Sequence, residues 1–290
     1  MTCSPLRYPG GKSKLYGFIE AIIASQDKSI NTYIEPFAGG AGIGISLLLN
    51  EKVENIIIND LNKGVYSFWR AICTETDKFL SLLEKTSINK ETYLIQKNIY
   101  QSSNKYSLEY GFSTFFLNRT NYSGILDSGP IGGMEQTGNF KMDARYNKDI
   151  LAEKLKKISK YKHNIKIYNK DIIIFNNTIV TKTNNAFVYY DPPYYIKGKN
   201  LYTNFLEHTD HINIHNSIKS VKQPWILTYD NASEIASIYK DSKAYEFTLS
   251  YSVNSKNVRK ATELMYMSDS NFIKAIPTTI LNKINLKERR

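Results

Sequence analysis

An aspartate, two prolines and a tyrosine stand together at Asp191-Pro192-Pro193-Tyr194, directly after the apolar run Ala186 to Tyr190. A short apolar run of this kind reads as a buried strand. In open α/β sheets, ligands gather outside the carboxyl ends of strands. Prolines carry no N–H, so Pro192 and Pro193 stiffen the loop and leave carbonyl oxygens to face a ligand. An exocyclic amine on a ring offers two N–H donors and calls for two acceptors, which the Asp191 carboxylate and the Pro192 carbonyl supply. Tyr194 has the flat ring to stack on such a base. The bland reading of the same four residues is a strand-ending turn, and only a second site nearby separates the two.

Candidates for that second site lie upstream. Thr32 to Ile34 reads as a short strand running into Glu35-Pro36, followed by the glycine-rich turn Phe37-Ala38-Gly39-Gly40-Ala41-Gly42 and a helical run from Ile43 to Leu49. Glycines in such a turn let the backbone approach a ligand closely. A second buried strand, Ile56 to Ile58, ends at Asn59-Asp60, a place where nucleotide-binding sheets carry an acid for ribose hydroxyls. Two look-alikes fail on spacing. Gly11-Lys12-Ser13 matches the end of a phosphate-binding loop, but the first glycine of that motif would fall on Leu6. The dinucleotide pattern started at Gly40 puts its third glycine on Ile45, and started at Gly42 on Leu47. His208 and His211 have no completing cysteine or acidic cluster, so no metal is expected and both are read as solvent-facing. Cys3 and Cys73 form neither a disulfide framework nor a ligand set, and a reducing, cytoplasmic setting is expected.

Holding these loops side by side takes a parallel sheet. Leu15, Phe18, Ile19, Ile22 and Ile23 recur at helical spacing after Pro9-Gly10-Gly11, and Val65 to Ile72 suits a helix after the second strand. Strand, turn, helix, strand and helix in that order predict a right-handed βαβ opening. From about 75 to 148 the alternation stops. Mixed helical segments lead into Phe115 to Gly124 and a glycine-rich polar stretch ending at Gly138. This reads as an insert or small second domain, 75–148, within a main domain of 1–74 and 149–290. A basic helix over Asp149 to Tyr161 follows, then strands at Ile165 to Tyr168, Ala186 to Tyr190 and Trp225 to Tyr229, and a helix at Glu234 to Tyr239. Two late strands, Tyr245 to Tyr251 and Glu263 to Met267, flank a basic loop with Lys256, Arg259 and Lys260. The expected fold class is α/β, a sheet with helices on both faces plus a smaller, mostly helical insert. There is no apolar run of about 18 residues, so no membrane span is expected, and the first residues lack the apolar core of a signal peptide.

The charge balance is +11 over 290 residues, with an isoelectric point near 9.3. A basic chain of this size favours a polyanionic partner, although a lysine- and asparagine-rich composition alone would produce the same number. Tyrosine occurs 22 times; such rings stack on unpaired bases or, more commonly, fill a core.

Taken together, these motifs resemble a known family. Asp191-Pro192-Pro193-Tyr194 is similar to the signature of amino-group DNA methyltransferases, and Glu35-Pro36-Phe37-Ala38-Gly39-Gly40 to their cofactor-binding motif. Arg7-Tyr8-Pro9-Gly10-Gly11-Lys12 resembles the N-terminal motif of the Dam-type (D12 class, α group) adenine-N6 DNA methyltransferases, and the resemblance runs from Leu6 to about Met267. It implies a Rossmann-like S-adenosylmethionine-dependent methyltransferase sheet and S-adenosylmethionine as cofactor. Tyr8 and Lys12 would help hold that cofactor, and Glu35, Phe37, Ala38 and Gly39 would line its methionine side. Asp60 would take the ribose hydroxyls, Asp171 the adenine amine, with Ile172 on the ring; Asp171 as a simple cap is an equal alternative. The catalytic set would be Asp191, Pro192, Pro193 and Tyr194, with Asp191 beside the cofactor as well.

The resemblance also implies double-stranded DNA as partner, read by the insert. Asn118, Arg119, Asn121, Tyr122 and Ser123 match the family's DNA-contacting loop, and Lys141 and Arg145 extend a basic surface. Members that read GATC carry an arginine shortly after this loop, where Asp127 stands here, so GATC is not the expected target. A restriction endonuclease acting on the same site is a further candidate partner. The alternatives are transfer to cytosine N4, RNA adenine or a glutamine side chain, or a nucleic-acid-binding module without catalysis. Intact Glu35, Asp60 and Asp191 speak against the last.

Overall fold

The computed structural model describes residues 3–8, 12–26, 30–196, 206–254 and 257–289, without the side chains of 249–261 and of Ala275. Pro9, Gly10, Gly11 and Lys256, named above, lie outside the described residues. Among those described, the strands are β1 (Thr32–Glu35), β2 (Asn55–Asn59), β3 (Ile165–Tyr168), β4 (Ala186–Tyr190), β5 (Trp225–Asp230), β6 (Ala244–Asn254), β7 (Asn257–Met267) and β8 (Lys287–Glu288). They form one sheet in the order β3-β2-β1-β4-β5-β7-β6-β8. The first five are parallel to one another, with Ile34 of β1 level with Ile57 of β2 and Val188 of β4. β7 then runs antiparallel to β5, and β6 and β8 complete the edge.

Burial explains the strand sequences. Every residue of β1 and β4 is buried, as suits parallel strands covered on both faces. Successive side chains alternate between the two sides. Tyr33, Tyr189, Ile226 and Met265 enter one core, with Phe18, Phe68 and Trp69. Ile34, Val188, Tyr190, Leu227 and Tyr229 enter the other. Chain order reverses between β1 and β4, which brings the ends of these strands together at the switch point where α/β sheets bind ligands.

Helices α1 (Tyr16–Ala24), α2 (Gly42–Leu49) and α3 (Lys63–Thr74) fall in the first half, and α7 (Lys148–Ser159) and α8 (Ile172–Thr178) flank β3. After β4 come α9 (His208–Lys219), α10 (Ser233–Ile238) and α11 (Thr278–Ile284). Between α3 and α7 lie α4 (Thr76–Lys85), α5 (Lys90–Ser102) and α6 (Leu108–Thr120). Asn62, Asn89, Ser107 and Asn147 accept hydrogen bonds from the first turns of α3, α5, α6 and α7, the usual N-cap chemistry. α6 crosses α3 at close range: a Cβ on Gly111 would stand 2.6 Å from the Ser67 carbonyl oxygen. Phe79 and Phe115 pack with Phe68 of α3, the Phe68–Phe115 rings stacked at 5.7 Å, and Phe112 packs on Phe79. The helices of 75–148 thus share the core of the first sheet face.

Two expectations are corrected. Arg259 and Lys260 belong to β7, paired with Tyr251 and Ser250 of β6, because the hairpin extends further than its apolar residues suggest. His211 is not solvent-facing. It lies on the buried side of α9, with its Nδ1 2.9 Å from the Tyr229 hydroxyl, and burial lowers its pKa to about 4.

Candidate active site

Three loops at the carboxyl ends of β1, β2 and β3 are stitched into one floor. The Asn59 side chain donates to the carbonyls of Pro36 and Lys170, both at 3.0 Å, and accepts from the Lys170 N–H at 2.9 Å. Asp60 accepts from the Gly39 N–H and the Asn62 N–H, both at 2.8 Å. The Trp69 indole donates to the Gly39 carbonyl at 2.9 Å. Gly39 itself has φ +46°, and a Cβ there would sit 2.7 Å from the Tyr8 ring. Only glycine therefore allows Tyr8 to close on the turn.

This floor is acidic. Glu35 is buried at the end of β1, where its Oε1 accepts from the Gly44 N–H at 3.0 Å. Burial pushes its pKa up to about 8 against the pull of that bond, and the Asp191 charge raises it further. Burial likewise raises Asp60 to about 6, opposed by the Asn62 and Gly39 N–H groups. Asp171 caps α8, its Oδ1 accepting from the Ile173 N–H at 2.8 Å. Half-buried Phe37 and Ile172 pack against the second core beside these acids.

Across the switch point, β4 delivers Asp191 to a buried polar knot. The Thr228 hydroxyl donates to Asp191 Oδ1 at 2.9 Å and lies 2.8 Å from the Tyr189 hydroxyl. The Lys12 ammonium stands 3.6 Å from the same Oδ1 and 3.4 Å from Glu263 Oε2. Tyr194 donates its hydroxyl to Glu263 at 2.7 Å, and its ring lies under the Lys12 ammonium, 4.5 Å from the ring centroid. Side-chain exposure is 4% for Lys12 and 1% for Glu263, but 23% for Asp191. Burial raises the Asp191 pKa, Lys12 opposes this, and Glu263 adds to it. Pro192 is buried and Pro193 half-buried. Tyr194 is buried, with its ring facing the second core. Beyond it, Asp230 at the end of β5 accepts from the N–H groups of Tyr195 and Ile196 at 3.0 and 2.8 Å and so clamps the loop.

Sequence reasoning missed Thr228, Asp230 and Glu263. Their signal is a polar residue at a buried position of an otherwise apolar strand, as in Trp225 to Asp230 and Glu263 to Met267. β5 and β7 place Asp230 directly opposite Glu263.

The structure divides the residues expected to meet DNA. Asn118 is buried; it accepts from the Arg7 N–H and donates to the Arg7 carbonyl, both at 2.7 Å, and to the Gly124 carbonyl at 2.9 Å. Asn121, also buried, accepts from the Tyr93 hydroxyl and donates to the carbonyls of Ile125 and Leu126, each at 2.9 Å. Both amides, expected in the DNA-contacting loop, are turned inward here and satisfy Arg7, Tyr93 and backbone groups of the loop. Arg119 is half-buried and donates to the Arg145 carbonyl; burial, with Arg7 and Arg145 adding to it, lowers its pKa to about 10. Tyr122 is 62% exposed, and Ser123, Asp127, Lys141 and Arg145 are exposed too. Lys141 donates to the Gln136 carbonyl. Among the described residues, no group of three or more His, Cys, Asp or Glu could hold a metal ion, and no helix is long and apolar enough to cross a membrane.

A parallel sheet with a glycine turn after β1, an acid after β2 and a carboxylate-proline-proline loop after β4 defines an α/β enzyme of the nucleotide-cofactor class. The chain belongs to the D12 class N6 adenine-specific DNA methyltransferases, a family that matches residues 8–253. It is similar to the type II methyltransferase M.MjaIII of Methanocaldococcus jannaschii, at 28% identity over 70% of this chain and 72% of that one. It is also similar to the type II methyltransferase M1.LlaDCHI of Lactococcus lactis subsp. cremoris, at 22% identity over 91% and 95%. Among solved structures, the rRNA methyltransferase aviRa from Streptomyces viridochromogenes aligns over 93% of this chain and 90% of its own, with TM-score 0.38 and 11% identity. The protein is thus an adenine-specific DNA methyltransferase whose cofactor is S-adenosylmethionine. The chemistry of the floor fits that cofactor: acids for a cationic ligand, with apolar Phe37 and Ile172 beside them.

Proposed function

We propose that the protein methylates N6 of an adenine flipped out of duplex DNA, and that Asp191 and the Pro192 carbonyl accept the two amine hydrogens. The observation that carries this reading is the state of Asp191, anchored through Oδ1 by Thr228 and Lys12 yet keeping part of its carboxylate open. A base inside a duplex cannot reach such a group, so flipping is required. Hydrogen bonds from the amine to Asp191 and Pro192 hold the nitrogen lone pair out of the ring system. Bound S-adenosylmethionine supplies the electrophilic methyl group. Catalysis is otherwise positioning and preorganised charge, and Asp191 stands where it can take the proton that becomes acidic as the nitrogen is alkylated. Tyr194 and Pro193 shape the pocket wall.

On the cofactor side, Glu35 pairs with the ammonium end, while Tyr8, Phe37, Ala38 and Gly39 enclose that end and Lys12 borders it. Asp60 takes the ribose hydroxyls. Asp171, already a helix cap through Oδ1, has its second oxygen for the adenine amine, and Ile172 lies against the ring. Residues 75–148 act as the DNA-reading unit. Tyr122 wedges into the stack, Ser123, Lys141 and Arg145 meet the backbone with Arg119 behind them, and Asn118 and Asn121 hold the loop in shape. Asp127 suits a cytosine amine rather than guanine acceptors, which points away from GATC. A restriction endonuclease sharing the site, as the type II names of the relatives suggest, is the expected partner.

Expression in a methylation-deficient bacterial host with single-molecule mapping of N6-methyladenine tests the reading. One modified motif is expected, lost in Asp191→Ala by roughly a hundredfold or more in transfer rate, with cofactor binding kept. Turnover in that variant would overturn the assignment of Asp191.

A further inference from the structure

We propose that Glu263 is a positioning residue for methyl transfer: from β7 it holds Lys12 and the Tyr194 hydroxyl together and so fixes how Asp191 faces the target amine. This rests on the proposed role of Asp191. Glu263 sits 1% exposed, with Tyr194 Oη at 2.7 Å and Lys12 Nζ at 3.4 Å. A carboxylate that deep is retained only where cation and donor meet it, because an unpaired buried charge is costly. Both of these groups are handles on the catalytic loop. Lys12 reaches Asp191 Oδ1 from one side, and Tyr194 lies three residues along the same loop. With Thr228 on the same oxygen, the carboxylate of Asp191 cannot turn about its own axis without breaking contacts on both sides. The antiparallel β5–β7 pairing therefore has a use in the chemistry. It brings Glu263 level with Asp230, so one strand pair grips the loop at Tyr194 and at Tyr195–Ile196.

A residue that merely supports the fold would lower activity without altering its dependence on pH. Glu263 does more, because its charge reaches Asp191. Asp191 is faced by Lys12 from the N-terminal segment, Glu35 and Tyr33 from β1, Tyr189 from β4, Thr228 and Tyr229 from β5, Glu263 from β7 and Tyr194 from its own loop. Glu263 raises the Asp191 pKa and Lys12 lowers it. Removing the Glu263 charge moves the Asp191 titration to lower pH.

The test uses the full chain, tritiated S-adenosylmethionine and unmethylated bacterial genomic DNA, under single-turnover conditions. In Glu263→Gln the amide oxygen still accepts from Tyr194, but the carboxylate charge beside Lys12 is lost. The expected result is a rate lower by about ten- to a hundredfold, a cofactor dissociation constant within about threefold of the parent, and an acidic limb of the rate profile moved to lower pH. A parent-like rate, or a lower rate with an unmoved limb, overturns the proposal. Tyr194→Phe keeps the ring and removes the hydroxyl bond; because that hydroxyl lowers the Asp191 pKa, the variant is expected to lose rate and to move the limb the opposite way, to higher pH. Together the two changes should cost less than the product of their separate losses, as for groups acting as one unit. If Glu263→Gln does not fold, a parent-like rate in Tyr194→Phe still refutes the grip on the loop, and a reduced rate supports it. Activity in Asp191→Ala would instead refute the role of Asp191 itself, which keeps the two failures apart.

Discussion

Glu35 and Asp60 are held as acids against their chemistry. Their folded pKa values, about 8 and about 6, lie above the ordinary carboxylate range because burial penalises the charged form. A raised carboxylate pKa gives stability that is present at low pH and lost as pH rises through the folded value. For Asp60 the loss falls between about 4 and about 6, and for Glu35 between about 4 and about 8. The cofactor-free protein should therefore melt at lower temperature as pH rises across that window, and Glu35→Gln should flatten the upper part. A scan of melting temperature against pH checks this; an identical slope in the variant would refute it. A cationic ligand reverses the balance. The proposed pairing with the cofactor's ammonium would ionise Glu35, so cofactor binding at neutral pH should release a proton. Calorimetry in two buffers of different ionisation heat should detect that proton in the parent and not in Glu35→Gln.

At the scale of elements, the glycines separate the site from the frame. Gly39 combines φ +46° with a Cβ position inside the Tyr8 ring, so Gly39→Ala strains the turn and displaces Tyr8. Cofactor affinity should fall by about tenfold or more while the melting temperature changes little. Gly111 has ordinary φ but backbone in its way: its Cβ would meet the Ser67 carbonyl, so α6 must move off α3. Gly111→Ala should cost about 1–3 kcal/mol of stability, measured by denaturant unfolding, with cofactor affinity of the folded protein retained. The same contrast explains what could be read from sequence. The turn after β1, Asp60 and the loop after β4 are local patterns, a buried strand followed at once by residues that break it, and they fell where expected. Glu263 was not legible because its partners lie far off in the chain, joined by a strand that reverses direction. Asn118 and Asn121 misled for the opposite reason. Amides next to a glycine look like surface donors, and only the fold shows that Arg7, Tyr93 and the loop carbonyls consume them. In both cases the N-terminal segment is the missing link, since Arg7 ties to the insert loop, Tyr8 to the cofactor turn and Lys12 to Asp191.

For the whole molecule, the acids and bases are sorted by place. Glu35, Asp60, Asp191, Asp230 and Glu263 gather at the carboxyl edge of the sheet, yet the chain carries a net charge of +11, so the excess of cations lies elsewhere on the molecule. Two binding events should then respond to salt in different ways. DNA association releases counterions from each neutralised phosphate, and log K should fall linearly with log salt at about 0.9 per contact. Cofactor binding, in a part-buried pocket screened far less by salt, should change little. Lys141→Ala and Arg145→Ala are expected to weaken binding to any duplex and to reduce the salt slope by roughly one each. Tyr122→Ala should leave the slope alone and lower the yield of flipped base, read by fluorescence of 2-aminopurine at the target position. An unchanged slope in both basic variants would place the phosphate track on another face of the protein, away from residues 75–148.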